Sequence, residues 1–166
     1  MFDILPDSAV PKDVVLPQNI LNAKKECESI FRNLSLSPER DSVLNALGRL
    51  GKSSLKRKVR FRAKYILDIA GDRFPDLIQV LDEAVNCRNH YVHGSKSKIN
   101  YINNITLLVF FTNTLEFVFA ASELIESGWD INAWRKNGTT MSHPFGAYVV
   151  NYAANLENLR QQLKTK

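Results

Sequence analysis

The amino-acid sequence predicts an all-α protein, an antiparallel bundle of about five to seven helices. Apolar residues recur at helical spacing through most of the chain after residue 17, and short loops separate these periodic segments. No stretch alternates between apolar and polar residues as a half-buried β-strand does. The 166 residues fit one domain better than two, so we expect an extended arm over residues 1–17 and a single helical domain over residues 18–166.

The first two helices have clear starting signals. Prolines at positions 6, 11 and 17 interrupt the arm, and the first helix is expected over about residues 18–33. Pro38 suits a first helical position, with Ser37 before it as the N-cap residue. This pattern predicts a second, short helix that ends at Gly51.

The third helix carries the basic residues of the chain. Its apolar residues recur over residues 55–70, and Gly71 follows them. Residues 52–64 contain seven bases and no acid, so the net charge of +5 comes from one local stripe. Such a stripe can bind RNA through phosphate contacts, although an ordinary solvated face fits the pattern equally well. The candidate RNA-binding residues are Lys52, Lys56, Arg57, Lys58, Arg60, Arg62 and Lys64.

The fourth helix is expected to begin near Phe74-Pro75-Asp76 and to end at His93, with Gly94 as its C-terminal stop. The fifth, over about residues 104–127, contains the longest apolar run, Leu107–Phe111. A membrane span needs about 20 mostly apolar residues. Polar residues follow this run closely, so a buried helix is the better interpretation. The remaining predictions are a short turn of helix over residues 129–137 and an amphipathic helix over residues 144–164.

Composition and missing motifs narrow the function classes. Cys27 and Cys87 show no CxxC spacing, which favours a reducing compartment and a cytoplasmic protein. The N-terminus carries acids and prolines where a signal peptide carries bases. The sequence contains no G-x-S-x-G, Walker or GxGxxG motif. Serine-hydrolase chemistry, nucleotide hydrolysis and dinucleotide binding therefore have no support.

Arg88 lies on the apolar stripe of the fourth helix, at a position where a leucine is expected. Burying an arginine without partners is costly, so a structural or functional partner is expected. One interpretation is an ion pair inside the bundle with Glu83 or Glu116. The other is a functional site.

His93, in the last turn of the same helix, is a second candidate. The carbonyl groups at a helix C-terminus favour the protonated imidazole, so this side chain is suited to proton transfer, although it also suits simple capping. Arg88 and His93 lie about 140° apart on an ideal helix, whereas Asn89 and His93 share a face. We therefore expect Arg88 and His93 to come together only if the helix unwinds or a second copy completes the site.

A metal site has little support in this segment. His90 and His93 are spaced for half of a zinc site and Cys87 is near, but no second pair of ligands is evident. We expect no metal and no cofactor. His143 precedes Pro144 and is interpreted as a helix-entry residue.

The string NCRNHYVHG resembles the R-x(4–6)-H motif of HEPN domains, with Arg88 and His93 as its ends. The context fits, because Asn89 follows the arginine, Gly94 follows the histidine and a long apolar helix comes next. The stretch HPFGAYVVNYAANLENL also resembles the closing helix of the HEPN domain in ApeA-type anti-phage proteins. The resemblance spans about residues 18–166, although it is only architectural outside residues 86–94 and 143–159.

The resemblance implies a helical bundle that dimerises with its two motifs facing each other. HEPN nucleases cleave RNA without metal and leave a 2′,3′-cyclic phosphate and a 5′-hydroxyl. His93 would then act as general acid or base, and Arg88 would bind the scissile phosphate. Asn89 would orient the phosphate or His93, while His90 and Tyr91 would make secondary contacts with RNA.

Three alternatives stay open at this point. The chain resembles a family in which some members keep the fold as non-catalytic dimerisation or RNA-binding modules. It would also suit the toxin of a toxin–antitoxin pair, with a neutralising antitoxin as partner. Finally, it would suit one domain of a longer ApeA-type defence protein that has a separate N-terminal sensor region.

Overall fold

The computed structural model describes residues 9–136 and 141–164, except for the side chain of Arg135. Within these residues the chain is all-helical and has no strand, which confirms the predicted fold class. The helices are α1 (Gln18–Arg32), α2 (Pro38–Gly48), α3 (Leu55–Ala70), α4 (Leu77–His93), α5 (Ile105–Glu126), α6 (Ile131–Lys136) and α7 (Pro144–Lys164), with a 3₁₀ turn at Gly71–Arg73.

The backbone divides into two compact units. The first, here called the hairpin unit, is Pro11–Ser54 and contains α1 and α2. Ser37 caps α2 by accepting a hydrogen bond from the backbone N–H of Arg40, as predicted. The helix ends at Gly48, three residues before the predicted stop at Gly51, and Gly51 adopts a left-handed conformation in the turn that follows. No residue of α1 or α2 is buried.

The second unit, the bundle unit, contains α3 to α7, and α5 is its central helix. α3, α4 and α7 each pack against α5. Among the described residues, α5 alone is long and apolar enough to cross a membrane by length and composition. Many of its apolar residues nevertheless belong to the bundle core, where Leu107, Phe110, Phe111 and Phe117 are almost fully buried. The predicted buried helix is therefore confirmed.

Contacts from α7 fix the start of α4. The hydroxyl of Tyr152 donates a hydrogen bond of 2.8 Å to the carbonyl oxygen of Pro75. Asp76 has a left-handed backbone (φ 56°), and its carboxylate pairs with Arg160 at 2.7 Å. Because this conformation interrupts the helix geometry, α4 begins at Leu77, directly after the predicted starting segment of residues 74–76.

Arg62 corrects the predicted basic stripe. Its side chain is fully buried in the bundle unit, where it donates hydrogen bonds to Ser122, Glu123 and Glu126. The guanidinium also lies 4.8 Å from the centre of the Tyr65 ring. A side chain enclosed in this way cannot reach a phosphate, so the prediction that Arg62 binds RNA is wrong.

Candidate active site

The site forms at the C-terminal end of α4, which stays helical through His93. Gly94 then turns the chain with φ 65°, a left-handed conformation that glycine adopts without cost. Its N–H donates to the carbonyl of His90 at 3.0 Å, and the N–H of Ser95 donates to that of Asn89 at 3.3 Å. The whole segment Arg88–His93 therefore lies on a regular helix with a defined end, as predicted.

Arg88 and His93 meet within one chain. Arg88 Nη1 lies 2.8 Å from His93 Nε2 and 3.2 Å from Asn89 Oδ1. A guanidinium has only donors, so His93 Nε2 accepts this hydrogen bond and the imidazole carries its proton on Nδ1. The three residues form one connected polar group at the protein surface.

This contact corrects the expectation from ideal helix geometry. Five residues separate the two positions by about 140° and about 7.5 Å along the axis. Ideal helix geometry predicts that such positions meet only through unwinding or a second copy. The long arginine side chain instead wraps around the helix to the imidazole while the backbone stays helical. Helix position alone therefore underestimates the reach of an arginine.

The structural ion pair considered for Arg88 is not observed. Among the described residues, neither Glu83 nor Glu116 forms a salt bridge with it. The half-buried guanidinium has His93 and Asn89 as its hydrogen-bond partners. An arginine bonded to neutral groups keeps its full charge available for an anion, which favours the functional interpretation.

His90 connects the end of α4 to the loop that follows it. Its Nδ1 donates a hydrogen bond of 2.8 Å to the carbonyl oxygen of Ser95, since a carbonyl can only accept. Its ring centre lies 5.2 Å from that of Tyr91 and 5.4 Å from that of Tyr101. These contacts tie the helix end to the following loop. Sequence reasoning missed Ser95 and Tyr101, because their roles depend on how that loop folds back.

An open groove of about 270 Å³ runs between α4 and α5 beside this group. Arg88 lines the groove and also bonds to His93, so the groove and the polar group are continuous. The thiol of Cys87 lies in its wall, and burial raises the pKa of this thiol to about 11. Cys87 therefore remains a neutral thiol at physiological pH and is poorly suited to bind zinc or to act as a nucleophile. The other lining residues are Ala84, Tyr91, Leu108, Phe111, Thr112, Leu115 and Glu116.

The seven predicted RNA-binding residues belong to two different units of the chain. Lys52 belongs to the hairpin unit, whereas the other six bases lie on α3 in the bundle unit. Arg60 forms a bidentate pair with Asp82 of α4, and this hydrogen-bonded contact raises the pKa of Arg60. The acids that pair with these bases thus lie on helices that are distant in the sequence, so the local sequence pattern could not identify them. Lys64 is exposed, while Lys56, Arg57 and Lys58 are half-buried.

The third histidine has the predicted structural position. The backbone N–H of Phe145 donates a hydrogen bond of 3.2 Å to His143 Nδ1, at the entry to α7. Across the part of the chain that the structure describes, no three His, Cys, Asp or Glu side chains gather as potential metal ligands.

The larger part of the chain is similar to a known protein family. The model of the family described as Apea-like HEPN matches residues 5–132, well over half of the chain. The matched region includes α1 to α5 and the whole segment from Arg88 to His93, whereas α7 lies outside it. The resemblance noted for residues 143–159 therefore lies beyond the matched region. Comparison with curated proteins and with solved structures finds no match.

Proposed function

This chain belongs to the Apea-like HEPN family, and from that membership we propose that it is a metal-independent endoribonuclease that acts in anti-phage defence. The observation that carries the proposal is the hydrogen bond of 2.8 Å between Arg88 and His93, at an accessible helix end beside a groove. One group with a permanent positive charge and one group that exchanges protons are what RNA cleavage requires of a protein.

The reaction uses the 2′-hydroxyl of RNA as its nucleophile. This oxygen attacks the adjacent phosphorus, its proton passes to a base, and the bond to the 5′-oxygen breaks. The products are a 2′,3′-cyclic phosphate and a 5′-oxygen that takes up a proton to become a hydroxyl. No metal-bound water is needed, because the substrate supplies the attacking oxygen.

In this proposal Arg88 and His93 act in sequence. An arriving phosphate draws the guanidinium of Arg88 away from the imidazole, since a charged partner binds it more strongly than a neutral one. This movement uncovers the lone pair on His93 Nε2, which then accepts the proton of the 2′-hydroxyl. Arg88 stabilises the charge that develops on the phosphate, and Asn89, whose Oδ1 lies 3.2 Å from Arg88 Nη1 in the free protein, orients the phosphate or His93.

A second copy of the chain completes the proposed site. Its protonated His93 supplies the proton to the leaving 5′-oxygen. Val92, next to His93, is 57% exposed, and Ile105 and Val109 on one face of α5 are 68% and 53% exposed. Exposed apolar side chains of this kind are suited to an interface. They suit a two-fold contact that brings both motifs into one cleft.

The alternative is a non-catalytic HEPN module that binds RNA without cutting it. The presence of both Arg88 and His93, in hydrogen-bond contact, favours catalysis over this alternative. The proposal also includes a cytoplasmic location and control by an antitoxin or by a larger N-terminal sensor region. These partners concern regulation and leave the chemistry unchanged.

The test is cleavage of total RNA in excess EDTA by the wild-type protein and by the Arg88→Ala and His93→Ala variants. We expect EDTA-resistant cleavage that produces 2′,3′-cyclic phosphate ends and is absent in both variants. Arg73→Ala and His143→Asn are matched controls, because they change the same residue types away from the site, and they should cleave normally. Binding of RNA without cleavage by the wild type would support the binding module instead.

A further inference from the structure

The groove between α4 and α5 adjoins the proposed scissile position. Arg88 belongs to both, because it lines the groove and bonds to His93. A nucleotide whose phosphate contacts Arg88 can therefore extend a neighbouring base into the groove. The volume of about 270 Å³ lies just below the range typical of whole small-ligand sites, which suits a part of a ligand such as one base.

Aromatic and apolar side chains form the walls of this groove. Tyr91 is 55% exposed and lines it together with Phe111 and Leu108. An exposed tyrosine beside a phosphate-binding arginine can stack on an unpaired base, and stacking of this kind is the usual way in which proteins hold single-stranded RNA. The walls alone do not select a base, because every base has an aromatic face.

The groove also contains one acidic side chain, that of Glu116. It is exposed and is the sole acid among the residues that line the groove. A carboxylate only accepts hydrogen bonds. Guanine presents two adjacent donors on its Watson–Crick edge, N1–H and the N2 amino group, which match the two carboxylate oxygens. Adenine and cytosine carry an acceptor beside their amino group, and uracil has one N–H between two carbonyl groups. Each of these three bases therefore places at least one acceptor opposite a carboxylate oxygen.

We propose that the groove binds a guanine next to the scissile phosphate, with Tyr91 stacking on the base and Glu116 accepting hydrogen bonds from N1–H and N2–H. This inference rests on the proposed ribonuclease function and names the specificity of the same site. Reading a flipped base through its Watson–Crick edge while stacking it is a general solution in enzymes that act on nucleic acids.

Binding is measured separately from cleavage with 2′-O-methyl oligonucleotides, which lack the attacking hydroxyl. Fluorescence anisotropy compares oligonucleotides that carry one guanine, inosine, adenine, cytosine or uracil in a fixed context. We expect guanine to bind roughly tenfold more tightly than the other three standard bases. Inosine, which lacks the N2 amino group, should bind with an affinity between that of guanine and that of the other three bases. In parallel, sequencing of the cleaved ends of total RNA should show guanine enriched at one position beside the cut.

Two variants make the test specific. Glu116→Gln replaces one acceptor by a donor, so it should abolish the guanine preference and favour adenine or cytosine, whose edges carry one donor and one acceptor. Asp68→Asn, which makes the same change at an exposed position of α3, should keep the preference for guanine.

The outcomes separate the two proposals. Guanine-selective binding without cleavage would contradict the ribonuclease function and support the base site. Cleavage with no guanine preference, or a preference that survives Glu116→Gln, would overturn the base site alone. A Glu116→Gln change that alters dimerisation and leaves base preference intact would assign the groove to a second copy.

Discussion

The Nη1 atom of Arg88 donates a hydrogen bond of 2.8 Å to the Nε2 atom of His93 across a full turn of unbroken helix. The contact holds the imidazole in one tautomer and covers the nitrogen that is expected to take a proton. Arg88 therefore has two roles in the proposed site, as a cover for His93 in the free protein and as a phosphate ligand with RNA bound.

The first prediction concerns Arg88→Lys. A lysine keeps the positive charge but lacks the planar fork that binds phosphate oxygens in pairs. We expect the single-turnover cleavage rate to fall about 100-fold while RNA binding changes little. Arg73→Lys, at an exposed arginine of the 3₁₀ turn, is the matched control and should keep the wild-type rate. A variant that cleaves as fast as the wild type would show that charge alone is needed at position 88.

The second prediction concerns the buried Arg62. Arg62→Ala removes a side chain that bonds to Ser122, Glu123 and Glu126, and it leaves a cavity in the core. The carboxylates of Glu123 and Glu126 are 43% and 35% exposed, so water can solvate them in the variant. We expect the free energy of unfolding to fall by about 3 kcal/mol in denaturant titrations. The salt dependence of RNA binding should stay as in the wild type, and a flatter dependence would mean that Arg62 contacts phosphate.

Most of the fold could be predicted from the sequence because its signals are local. Pro38 and Ser37 mark the start of α2, Gly94 marks the end of α4, and helical periodicity places α5 in the core. Two errors of the prediction have one cause. The pairing of Arg62 with acids of α5, and the reach of Arg88 to His93, depend on long flexible side chains in three dimensions. Such contacts cannot be predicted from helix position or from the local charge pattern.

The third prediction concerns stability at low pH. Burial raises the pKa of Glu126, but hydrogen bonds from Arg62 and Tyr65 and the charge of Arg62 outweigh it, so this pKa lies below 4.5 in the folded protein. A carboxyl group with a lowered folded pKa stabilises the protein above its unfolded pKa, and this stabilisation is lost as the pH falls through the folded value. Between about pH 5 and pH 3, the Tm of the wild type should therefore fall more steeply than that of Glu126→Gln. Parallel curves would show that Glu126 has no net role in acid stability.

The fourth prediction concerns the first turn of α3. Lys56, Arg57 and Lys58 remain candidates for phosphate contacts, and their triple change to alanine should weaken RNA binding equally for all sequences. The slope of log Kobs against log salt should decrease in magnitude by up to about 2, because single-stranded RNA releases about 0.7 counterions per contact. The triple variant Lys24→Ala, Lys25→Ala, Arg32→Ala changes the net charge equally on α1 and serves as the control. If the two triple variants have equal effects on RNA binding, these three residues contribute only through the net charge of the protein.

The last prediction concerns the second copy. If His93 of one chain accepts a proton and His93 of the other donates one, a dimer with one His93→Ala chain is inactive. At equal amounts of wild type and variant, randomly exchanged dimers then retain about one quarter of the activity of the same total of wild-type protein. A site that is complete within each chain would retain about one half of the activity. The rate should therefore depend on the square of the wild-type fraction for a shared site and linearly on that fraction for a site within one chain.

Val109→Glu, which places a charge on the exposed apolar face of α5, should lower both the dimer fraction in sedimentation and the cleavage rate. A monomeric variant that cleaves at the wild-type rate would contradict the shared site.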